Sequence, residues 1–254
     1  MLKKAIAVLA FFTTLSSAAW DYLPILPKGL GQTAFQFEYT SMDPLSSIDV
    51  RAGVRYSPLS WFEVSAILPY RITTSYDGNE PEFEAMVDEM DGIGNITFGL
   101  RFQFTETFSA YVDGYLPGEK TYTEDSFFFG VGLQHSSIFS FMIWSTDLSL
   151  IYGDAWTNMF VNFGNEINIP FGAFVPYFHM DFIYGLEEEA NGSGYYSDED
   201  EGGNNGLIIG PGFKFSLIPN LTLEAYLAFY MGDRFSSEFM DEPMVIGMSI
   251  YYTF

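Results

Sequence analysis

The chain ends in Met244-Val245-Ile246-Gly247-Met248-Ser249-Ile250-Tyr251-Tyr252-Thr253-Phe254. Met244, Ile246, Met248, Ile250, Tyr252 and Phe254 share one phase of a two-residue alternation, and Val245, Gly247, Ser249, Tyr251 and Thr253 share the other. Successive side chains of an extended chain point to opposite faces, so this segment reads as a strand with one wholly apolar face. Strands of soluble sandwiches usually run about five or six residues. A tilted strand needs about 9 to 11 to cross the hydrocarbon of a bilayer, and this one is long enough.

Working back along the chain, the same alternation returns. Phe35, Phe37 and Tyr39 alternate with Gln36, Glu38 and Thr40, and Ile48, Val50, Ala52, Val54 and Tyr56 with Asp49, Arg51, Gly53 and Arg55. Phe62, Val64, Ala66, Leu68 and Tyr70 repeat it, as do Ile96, Phe98, Leu100, Phe102 and Phe104. Strands are expected near 29–40, 47–56, 61–71, 92–104, 108–116, 126–134, 140–152, 157–168, 173–185, 206–216, 221–231 and 243–254. Alternation is weakest over 135–145, where Ile138, Phe139, Phe141, Met142 and Ile143 crowd together, and ten or fourteen strands stay open. A sheet whose apolar face meets lipid has no water for the polar groups of a free edge, so it must close. The fold class is therefore all-β: an antiparallel up-and-down transmembrane β-barrel of about twelve strands.

Composition agrees. The chain combines 48% hydrophobic and 19% aromatic residues with 17% charged residues, no cysteine and a formal charge of −23. Disordered acidic chains are poor in aromatics, nucleic-acid binders need a basic face, and disulfide scaffolds need cysteine. Residues 1–19 carry Lys3 and Lys4, an apolar run from Ala5 to Leu15 and the small residues Ser16, Ser17, Ala18 and Ala19. This is the pattern of a secretory signal peptide cleaved after Ala19, leaving 20–254 as a single barrel domain.

Outer-membrane barrels have short periplasmic turns and longer outer loops. If the first strand runs outward, the outer loops are 41–46, 72–91, 117–125, 153–156, 186–205 and 232–242, and they hold 23 of the 33 acids. The turns near 57–60, 105–107, 135–139, 169–172 and 217–220 hold only Glu106. Two loops are densely acidic: one carries Asp77, Glu80, Glu82, Glu84, Asp88, Glu89 and Asp91, the other Glu187, Glu188, Glu189, Asp198, Glu199, Asp200 and Glu201. Such clusters concentrate cations or bind divalent ions through hard oxygens, but no EF-hand pattern is present, and a solvated acidic rim is the favoured reading.

The strand phase opposite the apolar one holds the remaining charges. Glu38, Asp49, Glu63, Asp113, Asp147, Glu166, Asp181 and Glu224 are expected to line the lumen beside Arg51, Arg55, Arg71, Arg101 and Lys214, with His179 on the same face as Asp181. Opposed acids and bases either form a field that selects polar solutes or fill and stiffen the barrel. Inward Tyr111, Tyr115, Phe128, Phe160, Tyr177, Tyr226, Tyr230 and Tyr251 either offer a path to moderately apolar or aromatic solutes or pack against inward glycines.

The terminal strand resembles the C-terminal strand of bacterial outer-membrane proteins, whose final aromatic is read by the barrel-insertion machinery; here that residue is Phe254. Ile67-Leu68-Pro69-Tyr70, followed by a long loop and Asp91-Gly92-Ile93-Gly94-Asn95-Ile96-Thr97-Phe98-Gly99-Leu100, resembles the outer-membrane family named for the meta pathway of phenol degradation. The chain departs from that pattern with Gly94-Asn95 where Gly-Asp is usual. The resemblance implies a transporter of small, including aromatic, compounds, without catalytic residues. His135, Ser136 and Ser137 give a His-x-Ser spacing that resembles outer-membrane phospholipase, but here it falls on an expected turn, so no enzyme is expected. The expected function is a passive outer-membrane channel of a Gram-negative bacterium for small solutes. The alternative is a filled barrel whose acidic loops bind divalent cations or surface partners, and the third reading is a hydrolase. Outer-membrane lipid, the insertion machinery and a small-molecule solute are the expected partners, with no nucleic acid, resident metal or cofactor.

Overall fold

The computed structural model describes residues 22, 24–77, 87, 90–118, 127–153, 158–187, 205–232 and 242–254. The expected signal peptide lies outside them, as do most of the acids in the two dense loops. Twelve strands follow in chain order: β1 (Gly31–Met42), β2 (Leu45–Leu59), β3 (Phe62–Tyr76), β4 (Gly92–Ile93 and Thr97–Gln103), β5 (Phe108–Tyr115), β6 (Phe128–Ile138), β7 (Ile143–Gly153), β8 (Asn158–Asn168), β9 (Phe174–Glu187), β10 (Asn205–Ile218), β11 (Leu221–Met231) and β12 (Met244–Thr253). Each pairs antiparallel with its chain neighbours, and β1 pairs with β12 from Gln32↔Thr253 to Ser41↔Met244, so the sheet closes on itself. Gly31 and Phe254 exchange backbone hydrogen bonds of 2.9 and 2.8 Å at the closure. Closure gives each edge group a partner, as a lipid surround demands.

The break in β4 has a physical origin. Tyr70 pairs with Ile93 and Ile67 with Thr97, so one extra residue is accommodated at 94–96. Pro69 has no N–H to donate, and its carbonyl accepts from Gly94 N at 3.0 Å, as expected of a proline at a bulge. Leu68-Pro69-Tyr70 and Gly94-Asn95, far apart in sequence, are thus neighbours in space.

The described strands carry no Asp, Glu, Lys or Arg on their outward phase. That face is an apolar belt that includes Phe35, Phe37, Leu68, Phe98, Leu100, Leu148, Phe163, Phe178, Phe182, Ile246 and Ile250, all exposed. A basic residue at mid-depth on this belt would cost about 2 to 4 kcal/mol. Aromatics crowd both ends, with Trp61, Phe102, Phe104 and Phe108 at the end bearing the short turns.

Two turns differ from expectation. β6 continues to Ile138 and the turn is 139–142, not 135–139, because the ladder runs unbroken from Phe128↔Gly153 to Ile138↔Ile143. The alternation of side chains fades at His135, but the backbone ladder does not depend on side-chain polarity. The first outer connection shrinks from 41–46 to Asp43 and Pro44, since Met42 and Leu45 are already paired.

Candidate functional site

The inward phase of the strands is layered along the barrel. At the end with the short turns, the segment Pro24–Leu30 is bonded to the wall, with Leu26 turned inward and Pro24, Pro27, Lys28 and Gly29 exposed. Arg55 Nη1 donates to Pro24 O at 3.0 Å and Leu26 N donates to Glu63 Oε2 at 3.0 Å, which buries Leu26. Gly29 N and Ser57 N complete the attachment by bonding Ser57 O and Leu30 O at 2.7 and 3.1 Å. Arg55 also donates to Gln32 at 2.9 Å and pairs with Glu63 at 3.4 Å. Further along, the Tyr22 hydroxyl donates to Asp181 Oδ1 at 2.5 Å.

Above this segment lies a charged layer. Arg51 pairs with Glu38 at 2.6 Å, and Glu38 also accepts from the Tyr226 hydroxyl and from Gln36 Nε2, the latter at 3.0 Å. Arg71 clamps Asp49 through Nε at 2.8 Å and Nη2 at 3.1 Å. Lys214 lies 2.9 Å from Glu166 and 4.0 Å from Glu224, with its Nζ 4.6 Å from the Tyr177 ring centroid. Glu224 accepts from Tyr251 at 2.6 Å and Glu166 from Asn168 at 2.8 Å. Arg101 stands 5.7 Å from the Tyr111 centroid, and the Tyr111 hydroxyl donates to Asp147 at 3.1 Å. His179 stands against Tyr177 and Tyr226, with ring centroids 6.3 and 6.5 Å away. Asp181 is bonded by Tyr22 and His179 lies against two tyrosine rings, so the shared face of His179 and Asp181 does not make them a pair.

All fourteen of these charged or titratable side chains occupy the inward phase of their strands, but they are not equivalent. Glu38, Asp49, Glu63, Glu166 and Glu224 each have a cation within 4.0 Å. Asp113, Asp147 and Asp181 have none among the described residues. Buried carboxylates need a compensating charge or hydrogen bonds to offset lost hydration, and the two groups meet that need differently.

The inward tyrosines lie over glycines of the next strand. Tyr111 is directly opposite Gly132, Tyr177 opposite Gly212 and Tyr226 opposite Gly247. A Cβ on any of the three glycines would run into the facing ring.

Toward the end with the long loops the inner face turns apolar. Met42, Leu45, Phe160, Ile183, Ile208, Ala228, Tyr230 and Val245 form one buried cluster, and Val87 and Met90 from the acidic connection pack into it. The sequence reading placed Phe160 and Tyr230 inward but missed the aliphatic rest of this layer. Its signal was the loss of alternation at strand ends such as Phe182-Ile183-Tyr184 and Leu207-Ile208-Ile209, where both phases are apolar. It missed Pro24–Leu30 as well, which has no periodicity to read.

His135 and Ser137 sit on the outward phase of β6, not on a turn, with Nε2 2.9 Å from Ser137 Oγ. Thr146 Oγ1 donates to the His135 carbonyl at 3.4 Å, and Trp144 Nε1 donates to Asn165 Oδ1 at 3.2 Å on the same face. Among the described residues no group of three or more His, Asp or Glu is placed to hold a metal ion. Of the dense acidic loops, Asp77 and Asp91 are described; Glu80, Glu82, Glu84, Asp88, Glu89, Glu188, Glu189, Asp198, Glu199, Asp200 and Glu201 lie outside the described residues.

No protein-family model matches the chain, and no curated protein sequence matches it. Solved structures do. An outer-membrane channel from Pseudomonas putida F1 superposes with a TM-score of 0.65 at 12% identity, over 92% of this chain and 98% of that one. NanC porin gives 0.57 at 6% identity, over 87% and 98%. The CymD monoaromatic hydrocarbon channel gives 0.50 at 10%, over 90% and 89%. Identities this low carry the fold alone. The closed twelve-strand sheet, its uncharged outer belt and these neighbours together make the chain a β-barrel of the bacterial outer membrane.

Proposed function

We propose that the protein is a passive channel for small solutes, including moderately apolar and aromatic ones, and that it belongs with the family named for the meta pathway of phenol degradation. The observation that carries this reading is the layered inner face. An apolar layer beneath the outer loops, made by Met42, Leu45, Phe160, Ile183, Ile208 and Val245, precedes a layer of charges and tyrosines. A solute with an apolar body and a polar group has a partner at each depth. The neighbours described as channels and porins support the reading, and CymD, a monoaromatic hydrocarbon channel, is consistent with its solute class. Glu38, Asp49, Arg51, Arg55, Glu63, Arg71, Arg101, Asp113, Asp147, Glu166, His179, Asp181, Lys214 and Glu224 are the side chains that such a solute meets below the apolar layer.

At the end with the short turns Pro24 and Leu26 bond the inward Arg55 and Glu63, and in this reading the segment narrows the route there. Single-channel recording of the purified barrel tests the proposal: discrete openings are expected, and their conductance should rise when 24–30 is deleted. A folded preparation without openings, with or without the segment, overturns it. In the same reading residues 1–19 are a signal peptide, 20–254 are one domain, and Phe254 is recognised by the insertion machinery.

A second reading, a filled barrel with cation-binding loops, draws on the dense pairing of Glu38–Arg51, Asp49–Arg71 and Glu166–Lys214. It expects millimolar Ca²⁺ to raise the melting temperature, and no shift counts against it. A hydrolase is the third reading, resting on the His135–Ser137 contact; lipase activity abolished by His135→Ala would revive it.

A further inference from the structure

The ladder sets Asp147 on β7 opposite Gly164 on β8, and Gly164 opposite Asp181 on β9. All three lie on the lumen phase, so two carboxylates flank a position without a side chain. The Tyr22 hydroxyl stands over that glycine and donates to Asp181 Oδ1 at 2.5 Å; a Cβ at Gly164 would meet both groups. Asp147, only 4% exposed, accepts from Tyr111 at Oδ1; its buried Oδ2 makes no hydrogen bond within 3.5 Å, with Ser149 and Gln134, whose Nε2 is itself unbonded, as the polar neighbours on its side of the ladder. Asp147 and Glu166, the charged neighbours acting on Asp181, are both acidic, and Glu166 is already paired with Lys214. The basic residue that acts on Asp147 is Arg101, which itself stands over Tyr111.

A buried carboxylate oxygen without a partner is stabilised by a cation or a donor, and an anion is repelled by both acids. The described residues offer no third acid to complete a divalent site, and conduction needs binding weak enough for the ion to leave. We propose that the Asp147–Gly164–Asp181 step is a monovalent-cation site in the conduction path, taking an alkali ion or the ammonium group of an amine solute. The Tyr22 hydroxyl occupies it in the closed barrel and leaves when the cation arrives. The acid-rich outer loops feed the site by raising the local cation concentration. This inference rests on the channel reading above.

The test uses the whole purified barrel in planar bilayers under a KCl gradient. The wild type is expected to show a reversal potential of cation-selective sign, and the double variant Asp147→Asn with Asp181→Asn to bring it to zero. Replacing K⁺ by methylammonium on one side separates the two cations: a reversal potential favouring methylammonium assigns the site to amine solutes, and one favouring K⁺ assigns it to alkali ions. Tyr22→Phe should increase the current, and an unchanged current overturns its role as latch. A conducting wild type that is unselective or anion-selective overturns the cation site while the channel reading stands, as does a double variant with the wild-type reversal potential. A folded wild type that never conducts overturns the channel reading and this inference with it. If the double variant fails to give the heat-shifted gel migration of a folded barrel, each single variant is measured, and wild-type selectivity in both overturns the site.

Discussion

The walls of this barrel treat buried carboxylates in two ways. Along β1–β3, Glu38, Asp49 and Glu63 each face an arginine across one ladder position or a few, and neighbouring amide and hydroxyl groups fill the remaining sites. Along β5–β9, Asp113, Asp147 and Asp181 have no basic partner within 4.0 Å among the described residues, and Tyr111 and Tyr22 supply the hydrogen bonds to Asp147 and Asp181. The first wall is closed chemistry, in which every charge already has its counter-charge. The second presents carboxyl groups to the lumen without a basic partner in contact. The barrel's stiffness is therefore expected to reside in one wall and its ion preference in the other.

The largest effect should come from unpairing the first wall. Arg71→Met leaves Asp49 buried without its bidentate partner, and the expected loss is about 3 to 5 kcal/mol, read from urea unfolding in detergent micelles. A loss no larger than that of Asp147→Asn would remove the distinction between the walls. Next comes the tyrosine-over-glycine packing, which the first wall lacks and which joins β5 to β6, β9 to β10 and β11 to β12. Gly212→Ala drives a methyl into the Tyr177 ring, and overpacking of this kind costs about 1 to 3 kcal/mol, with a Tyr177→Leu background expected to relieve most of it. The smallest effect belongs to the second wall: Asp147→Asn removes a charge without a basic partner and retains an acceptor for Tyr111. Its stability should change by less than about 1 kcal/mol, again by urea unfolding, while its reversal potential moves. A large destabilisation would mean that Asp147 is structural.

How far the sequence could be read depended on what each signal measures. Alternation reports which residues tolerate lipid, and it was legible wherever the two faces differ in polarity, as in Gln32–Tyr56 and again in Met244–Phe254. It failed at His135-Ser136-Ser137, where the ladder continues although the outward side chains are polar. It also failed at Ile183 and Ile208, where apolar residues occupy the inward phase and the contrast between faces is lost. The inward phase of Glu38, Arg51, Asp147 and Lys214 follows from the expense of charge in hydrocarbon. Which acid meets which base does not follow from phase, because it depends on cross-strand register.

By itself, the sequence determined the closed antiparallel barrel of about twelve strands and the inward placement of its charges; the count of twelve was settled by the ladder. The closure and the inward charges follow from two local facts: strands alternate with period two, and lipid satisfies no backbone edge. Tertiary structure alone decided that Tyr22 reaches Asp181, that Pro24 and Leu26 bond Arg55 and Glu63, that Val87 and Met90 join an apolar layer, and that one wall pairs its acids with arginines and the other does not. Each of these is a contact between residues distant in the chain, set by the register of a closed sheet, which period-two patterning does not encode.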